Sequence, residues 1–241
     1  MDRSDLNVAW LAKHHFGAVR LACFVTCLGP ALWLSGEWLG NHLGVNPLNR
    51  LLHFTGLWSL IMLTVTLSVS PARRFSVWVS QTVHARYGKR VSDWNWLIRL
   101  RRQLGLFTFF YACLHLGIYV VFDAGLDLPS LLDDVRERPF IAIGLIAYLL
   151  LIPLAATSNP FAMKALGRFW RRLHLLSYLI GMLAITHFWL LAKVGDVKAL
   201  PYSLVLALLL AVRLRAWWLG DRDVGVEEKE RLNVKTPPQS L

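Results

Sequence analysis

The sequence predicts an all-α protein, an integral membrane bundle of six transmembrane helices. Three observations support this prediction. The chain of 241 residues is 56% hydrophobic with a mean hydropathy of +0.46, which is more apolar than a soluble domain of ordinary composition. Its apolar residues fall into six runs of about 18 to 22 residues, the length that crosses a bilayer as a helix. Its basic residues lie mostly in the connections between those runs.

The six apolar runs mark the predicted helices. They cover residues 18–36, 51–70, 104–122, 140–157, 172–191 and 199–218. Pro30 interrupts the first run and no small-residue cleavage pattern follows it, so we expect this run to stay as a helix and not to be removed as a signal peptide. The predicted organisation is therefore a segment over residues 1–17, one transmembrane domain over residues 18–218 and a tail over residues 219–241.

The charges of the connections predict the orientation of the chain. The net charge is +11. The second connection, residues 71–103, and the fourth are basic, whereas the third, residues 123–139, is acidic. By the positive-inside rule, both termini and the even connections face the cytoplasm. This multi-pass topology accounts for the basic pI, so we expect membrane lipid and no nucleic acid as a partner.

The second and third connections have further features. Trp78, Trp94 and Trp96 stand among basic residues in the second, a pattern typical of a segment that lies at the membrane interface, or equally of one that docks a partner. Leucines alternate with acids in the third, which predicts a short amphipathic helix on the outer surface. The acids that either border a docking surface there or keep the connection soluble are Asp127, Asp133 and Asp134.

Three histidines, His115, His174 and His187, lie inside the apolar runs. An ionisable side chain at such a position is costly and is usually functional, and a neutral imidazole is a common ligand of haem iron. His115 and His187 stand on different predicted helices at similar depth, so we predict that they share one haem. The alternative is structural, with each histidine bonded to a neighbouring carbonyl or hydroxyl group.

His174 raises the possibility of a second haem. It precedes His187 by a rise of roughly 20 Å, but the two side chains stand roughly 140° apart around an ideal helix, so both face one axis only if the helix is distorted, for which Gly181 is the predicted place. At the level of His174 the third helix offers Arg101 and Arg102 in place of histidine. One haem with two histidine ligands is therefore better supported than two.

Arg171 and Arg172 stand beside His174. Guanidinium groups pair with oxyanions in a bidentate manner, so these two residues either hold haem propionates or a flavin phosphate, or anchor the chain at the lipid headgroups. The sequence leaves both interpretations open.

Several short motifs, in this order and spacing, resemble the MsrQ (YedZ) family, the haem-binding membrane subunits of bacterial protein-methionine-sulfoxide reductase systems. The likeness extends from about residue 18 to residue 218. The motifs are His53-Phe54-Thr55-Gly56, then Arg101-Arg102-Gln103-Leu104-Gly105-Leu106, Leu114-His115-Leu116, Leu173-His174 and His187-Phe188-Trp189. The chain departs from the family pattern at about residues 76–96, where its second connection is longer than expected.

The resemblance implies a ferric-reductase-like transmembrane fold with haem b, in some members also FMN, in the bacterial inner membrane. It implies that His115 and His187 are the principal haem ligands, that His174 is a third intramembrane histidine and that His53 belongs to a signature motif. It also implies a role, the transfer of electrons from the quinone pool to a periplasmic molybdopterin-containing, MsrP-like subunit that reduces methionine sulfoxide in oxidised proteins. A cytosolic flavin reductase is the other electron donor that we consider beside quinol.

We therefore expect an electron-transfer subunit and not the enzyme that reduces the substrate, because two imidazoles fill both axial positions of the iron. One alternative is a stand-alone ferric or other transmembrane reductase. The sequence contains no G-x-G-x-x-G motif after a strand, which argues against a self-contained NADPH oxidase. A second alternative is a small proton-coupled transporter with a histidine relay, but the sequence shows no inverted repeat.

Overall fold

The computed structural model describes residues 14–84, 88–191 and 199–218. These residues form helices without any β-strand, so the all-α prediction is confirmed. The helices in chain order are α1 (Phe16–Leu39), α2 (Pro47–Thr82), α3 (Asn95–Ile118), α4 (Leu128–Glu137), α5 (Pro139–Ala156), α6 (Pro160–Leu166), α7 (Arg168–His174), α8 (Leu176–Leu191) and α9 (Leu200–Trp218). A 3-10 turn (Val91–Trp94) precedes α3, and a π-helical turn (Tyr119–Asp123) follows it.

Five helical stretches among the described residues are long and apolar enough to cross a membrane. They are Phe16–Leu39, Pro47–Thr82, Val91–Asp123, Pro139–Ala156 and Arg168–Leu191, and they coincide with the first five predicted runs. The sixth run is the helix α9, which has 19 residues and packs against α2 and α8. That α9 also crosses the membrane stays a prediction, and the predicted tail over 219–241 lies outside the described residues.

The second connection differs most from its prediction. α2 continues past the expected end at residue 70 to Thr82, a total of 36 residues, and α3 already begins at Asn95. Much of the region predicted as an interfacial segment therefore extends two neighbouring helices. Tertiary contacts hold these extensions together: the buried Arg73 side chain donates a hydrogen bond to Asn95 Oδ1 at 3.0 Å, and the buried Trp94 packs against Val77. A hydropathy pattern cannot show such pairing, because it involves charged and polar residues.

The third connection forms the short amphipathic helix that was predicted for it, and its place on the outer surface stays a prediction. Asp127 caps α4 by accepting a hydrogen bond from the Ser130 backbone N–H at 3.1 Å, and α4 is an amphipathic helix of ten residues. The Tyr119 hydroxyl in the π-helical turn donates a hydrogen bond to Asp134 of α4 at 2.5 Å. This bond fixes α4 to the end of α3, four residues after His115.

A buried tyrosine binds the backbone of the first helix next to its internal proline. In an unbroken helix the Ala31 N–H would bond to the Cys27 carbonyl, but Pro30 lies between them. The hydroxyl group of Tyr111 is inserted at this point: it accepts from Ala31 N at 3.1 Å and donates to the Cys27 oxygen at 2.7 Å. Both backbone groups are thereby satisfied inside an apolar bundle, where an unpaired group would be costly.

The distortion predicted in the fifth span exists, but its predicted place at Gly181 is wrong. The helix is interrupted at Leu175, between α7 and α8, where the Leu175 N–H bonds to the Arg172 oxygen and the Tyr178 N–H to the Leu175 oxygen. Gly181 lies inside α8, where a Cβ atom would stand 3.3 Å from Leu206 of α9. This glycine therefore allows two helices to approach each other closely and does not bend its own helix.

Candidate functional site

The structure brings His115 of α3 and His187 of α8 together inside the bundle. Their ring centroids are 6.1 Å apart and their planes are inclined by 87°. Both side chains are half-buried. We refer to these two residues as the upper level of the bundle, on the side of α4.

Both upper-level histidines are held in the same tautomer. His115 Nδ1 lies 2.9 Å from the Leu52 carbonyl oxygen of α2, and His187 Nδ1 lies 2.7 Å from the Phe140 carbonyl oxygen of α5. Because a carbonyl oxygen can only accept, each Nδ1 carries the proton and each Nε2 keeps its lone pair. A histidine in this form, with its second nitrogen fixed by a carbonyl, is the form that ligates metals.

A glycine lies against each of the two rings. A Cβ atom at Gly56 would stand 3.0 Å from His115 Cε1, and one at Gly144 would stand 2.8 Å from His187 Nδ1. Each glycine follows the residue whose carbonyl binds the histidine by four positions: Gly56 follows Leu52, and Gly144 follows Phe140. In each helix, the residue that supplies the carbonyl group and the glycine therefore lie one helical turn apart on the same face. The same arrangement positions both histidines.

Sequence reasoning missed this carbonyl–glycine arrangement. Gly56 stood inside the His53-Phe54-Thr55-Gly56 motif, but its contact with His115 could not be foreseen, and Gly144 had no signal beyond being a glycine within an apolar run. In the same motif, the fully buried Thr55 places Oγ1 3.4 Å from His115 Nδ1. The third and fourth residues of the motif, Thr55 and Gly56, therefore lie against His115.

His53 itself stands apart from the upper-level pair. Its side chain is exposed, and its ring lies 6.0 Å from the ring of Phe188, the neighbour of His187. The structure thus places His53 beside the site and not in it.

His174 belongs to a different level. Its ring stacks on Trp170 with 4.0 Å between centroids, its Nδ1 lies 3.1 Å from the Trp170 oxygen and its Nε2 lies 3.5 Å from Ser158 Oγ. Arg101 of α3 is close enough for its charge to act on His174. We refer to Arg101 and His174 as the lower level. In the described part of the chain, no three His, Cys, Asp or Glu side chains are grouped as in a metal cage, so His174 does not join the upper pair.

Arg171 and Arg172 are exposed on α7. They precede His187 of the upper level by fifteen residues or more, and their role as propionate partners stays a prediction.

The upper level fits a metal that takes two neutral imidazole ligands. Two imidazole nitrogens that bind one metal from opposite sides, each at about 2 Å, place their ring centres roughly 6 Å apart, in agreement with the 6.1 Å observed. A membrane helix bundle with two imidazoles free to ligate one metal is the arrangement of a haem-binding membrane protein. Consistent with that class, the family model described as the ferric reductase like transmembrane component matches residues 55–185.

Individual relatives make the assignment more specific, from the ferric-reductase-like class to one family. A protein of Bordetella pertussis called "Protein-methionine-sulfoxide reductase heme-binding subunit MsrQ" is 43% identical over 218 residues, 88% of this chain and 97% of the relative. Proteins with the same description from Ralstonia nicotianae and Rhodospirillum rubrum are 40% and 37% identical, covering 84% and 81% of this chain and 86% of each relative. The chain belongs to the MsrQ family, and the resemblance found in the motifs is confirmed.

Proposed function

We propose that this chain is a haem b electron-transfer subunit that passes electrons from the quinone pool to a periplasmic molybdoenzyme that reduces methionine sulfoxide in oxidised proteins. The observation that carries the proposal is the His115–His187 pair, with both Nε2 lone pairs available. Membership of the MsrQ family supports it, because the relatives are described as haem-binding subunits of protein-methionine-sulfoxide reductases.

In this proposal each residue of the upper level has a defined role. His115 and His187 would hold the haem iron through Nε2, because the carbonyl groups of Leu52 and Phe140 bind the Nδ1 protons and leave both Nε2 atoms free to ligate. Haem, when bound, supplies one-electron chemistry at its iron. Because both imidazoles would be engaged with the iron, the chain would offer a substrate no open position there and would pass electrons on by outer-sphere transfer. The chain is then a conduit, and the partner reduces the substrate.

We propose that the electron donor acts at the lower end of the bundle. At the level of His174, α3 offers Arg101 and no second histidine, so we expect one haem per chain, held by His115 and His187. Arg171 and Arg172 are accessible to the phosphate of an FMN molecule or to lipid headgroups. The donor is quinol or a cytosolic flavin reductase.

We place the chain in the bacterial inner membrane with both termini in the cytoplasm and α4 in the periplasm. Single cysteines at Ser92 and Ser130 test this orientation, because both side chains are exposed and they lie at opposite ends of the bundle. In intact cells, an impermeant thiol reagent should label the Ser130 position and not the Ser92 position. The opposite pattern would reverse the orientation.

The three acids expected to border a docking surface at α4 differ in how strongly they are bonded within the chain. Asp127 is engaged as the cap of α4, and Asp134 binds Tyr119 and, at 3.2 Å, Arg138. Asp133 is 66% exposed and pairs only loosely with Arg136 at 3.6 Å. Asp133 is therefore the acid of the three that we propose for partner contact. Its replacement by Asn should slow electron transfer to the partner at low salt.

An optical spectrum of the purified full-length chain tests the proposed function directly. We expect a low-spin b-type spectrum and about one haem per chain, since two imidazoles complete the iron coordination. A folded but colourless preparation from haem-replete cells would exclude the proposal and favour the transporter alternative. Reduced protein should be reoxidised by the purified periplasmic reductase and its methionine-sulfoxide substrate. If it is reoxidised only by ferric chelates, the stand-alone ferric reductase is the better description.

A further inference from the structure

The two histidines of the upper level differ in the groups that face their Nδ1 atoms. His187 Nδ1 has one partner among the described residues, the Phe140 carbonyl oxygen at 2.7 Å. His115 Nδ1 has two partners, the Leu52 carbonyl oxygen at 2.9 Å and the hydroxyl oxygen of Thr55 at 3.4 Å. The pair is therefore symmetric in its carbonyl groups and asymmetric in this hydroxyl group.

The hydroxyl group of Thr55 faces His115 as a hydrogen-bond acceptor. Its own proton is donated to the preceding turn of α2, to the Leu51 oxygen at 2.8 Å and less closely to the Leu52 oxygen at 3.3 Å. A hydroxyl group that donates keeps two acceptor lone pairs, and a carbonyl oxygen can only accept, so the proton between Leu52 and His115 belongs to Nδ1. That proton is therefore shared between two oxygens in a three-centre hydrogen bond.

Burial strengthens this contact. Thr55 is fully excluded from solvent, with an exposure of 0%, so water does not compete for its hydroxyl oxygen. Electrostatic interactions, hydrogen bonds included, are stronger in such a low-dielectric interior than in water. A contact of this length, which would count for little at a protein surface, can therefore act on the imidazole of His115.

The corresponding position on the other helix is aliphatic. On α2, Thr55 stands directly before Gly56, the glycine that lies against His115. On α5, the residue directly before Gly144 is Ile143, whose side chain has no polar atom. The difference between the two histidines therefore follows from one residue in each of the helices that position them.

We propose that Thr55 is a positioning residue that lowers the reduction potential of the haem through His115. The inference rests on the proposed function, in which His115 and His187 hold the iron. An additional acceptor for the Nδ1 proton makes the opposite nitrogen a more basic ligand, and a more basic ligand favours ferric over ferrous iron. Hydrogen bonds to a ligand are one of the means by which a protein sets this potential. The lower potential makes the chain a stronger electron donor to its partner.

Redox titration of the purified full-length protein, followed by its optical spectrum, tests the proposal. Thr55→Val removes the hydroxyl group and nearly keeps the shape of the side chain. We expect the ratio of ferric to ferrous haem affinity to fall by about threefold, near the lower end of what a neutral hydrogen bond contributes. At 59 mV per tenfold for one electron, this change raises the midpoint potential by about 30 mV. Thr55→Ser keeps the hydroxyl group and should titrate like wild type.

Thr66→Val is the matched control. Thr66 lies on the same helix, is also buried and donates its hydroxyl proton to the Met62 oxygen at 2.7 Å, the same kind of bond to the preceding turn that Thr55 makes. It stands eleven residues further along α2, a rise of about 16 Å. Its replacement should therefore leave the midpoint potential unchanged.

Ile143→Thr is the reciprocal variant, since it adds a hydroxyl group at the corresponding position of α5. It should lower the midpoint potential, and it is the second test if Thr55→Val does not retain haem.

The haem-to-protein ratio of each variant, recorded in parallel, separates this proposal from the proposed function. A wild-type midpoint potential in haem-loaded Thr55→Val overturns the proposal, as does an equal rise in Thr55→Val and Thr66→Val. If Thr55→Val does not retain haem, a potential that does not fall in Ile143→Thr overturns it. A wild-type protein that binds no haem would instead refute the proposed function, and this inference with it.

Discussion

The upper and lower levels of the bundle occupy the same two spans, yet they are built differently. At the upper level, α3 and α8 each contribute a histidine, and each ring is seated against a backbone carbonyl and a glycine of a neighbouring helix. At the lower level the same span of α3 contributes Arg101. His174, preceding α8, is stacked on Trp170 and bonded to the carbonyl of that same residue, one turn earlier in its own helix.

This difference shows why the spacing of histidines alone does not give the number of haems that a bundle can bind. Arginine stays protonated and has no lone pair to offer a metal, so the lower level lacks a second ligand, whatever the position of His174. A ligand pair requires two histidines and also backbone carbonyl groups that leave their Nε2 atoms free, and among the described residues the upper level has both.

Removal of a histidine should have the largest effect. We expect His115→Ala or His187→Ala to lower haem affinity by more than the roughly 10–100-fold that loss of an outer-shell partner costs, because each removes a proposed ligand of the iron. His174→Ala should keep the haem-to-protein ratio and the low-spin spectrum. The measurement is the pyridine haemochrome assay on purified variants, with the exposed His84→Ala as control. If His174→Ala loses as much haem as His187→Ala, the two levels are not distinct.

The glycine seats should come next. Gly144→Ala introduces a Cβ at 2.8 Å from His187 Nδ1, and Gly56→Ala introduces one at 3.0 Å from His115 Cε1, so each should displace its ring and lower haem affinity by about tenfold or more. Alanine favours a helix over glycine by about 1 kcal/mol, so a general loss of helix stability is not expected.

Gly117→Ala is the control for the glycine seats, because it lies two residues after His115 and its Cβ would meet nothing within 4 Å. Titration of the apo-proteins with haem, followed at the Soret band, compares the three variants. Equal affinity in Gly144→Ala and Gly117→Ala would show that the close approach at His187 has no role.

A smaller effect is expected where the upper level meets the outer helix. Tyr119→Phe removes the hydrogen bond to Asp134 and should lower the free energy of unfolding by about 1.5–3 kcal/mol, the range for a bond to a charged group. It should leave the haem spectrum unchanged. Chemical unfolding in detergent, followed by tryptophan fluorescence, measures the change. Asp133→Asn, which breaks only the exposed pair with Arg136, should change stability little, and a similar loss in both variants would argue against the tyrosine bond.

The smallest effect concerns the cap of α4. Two hydrogen bonds from Ser130 hold the pKa of the Asp127 carboxylate below its ordinary value of 3.8. The bond from the Ser130 hydroxyl has the larger effect, and the bond from the Ser130 backbone N–H has the smaller. A lowered pKa means that this stabilisation is present above pH 3.8 and is lost as the pH falls through the folded-state value. Hydrogen exchange of α4, corrected for the intrinsic pH dependence of amide exchange, should therefore accelerate as the pH falls below 3.8. Asp127→Asn, which still caps, should remove that dependence, and unchanged acid sensitivity in this variant would assign it to another group.

The sequence predicted the spans better than it predicted their ends. The first five apolar runs became helices of membrane length because a backbone in hydrocarbon must bond within its own segment. The extension of α2 to Thr82 was missed because it depends on partners such as Asn95, which binds the buried Arg73. The break at Leu175 was likewise misplaced to Gly181, whose real role is contact with Leu206.

The candidate site divides in the same way. His115 and His187 could be singled out from their residue type and position, since a histidine within an apolar run is costly and demands a reason. Their seats could not, because a carbonyl group is present at every residue, and the sequence does not show which of them faces an imidazole. Thr55 was noticed as part of a motif, but its contact with His115 was not foreseen.

By itself, the sequence determined that the chain is an all-helical membrane protein of the MsrQ family, with two histidines in different spans at similar depth. Those properties follow from the cost of placing polar groups in hydrocarbon and from the order of short motifs. Only the tertiary structure decided which nitrogen of each histidine is free, which glycines admit the rings, and that the hydroxyl group of Thr55 lies beside His115. These features depend on distances between helices that are far apart in the chain, and such distances are set by packing.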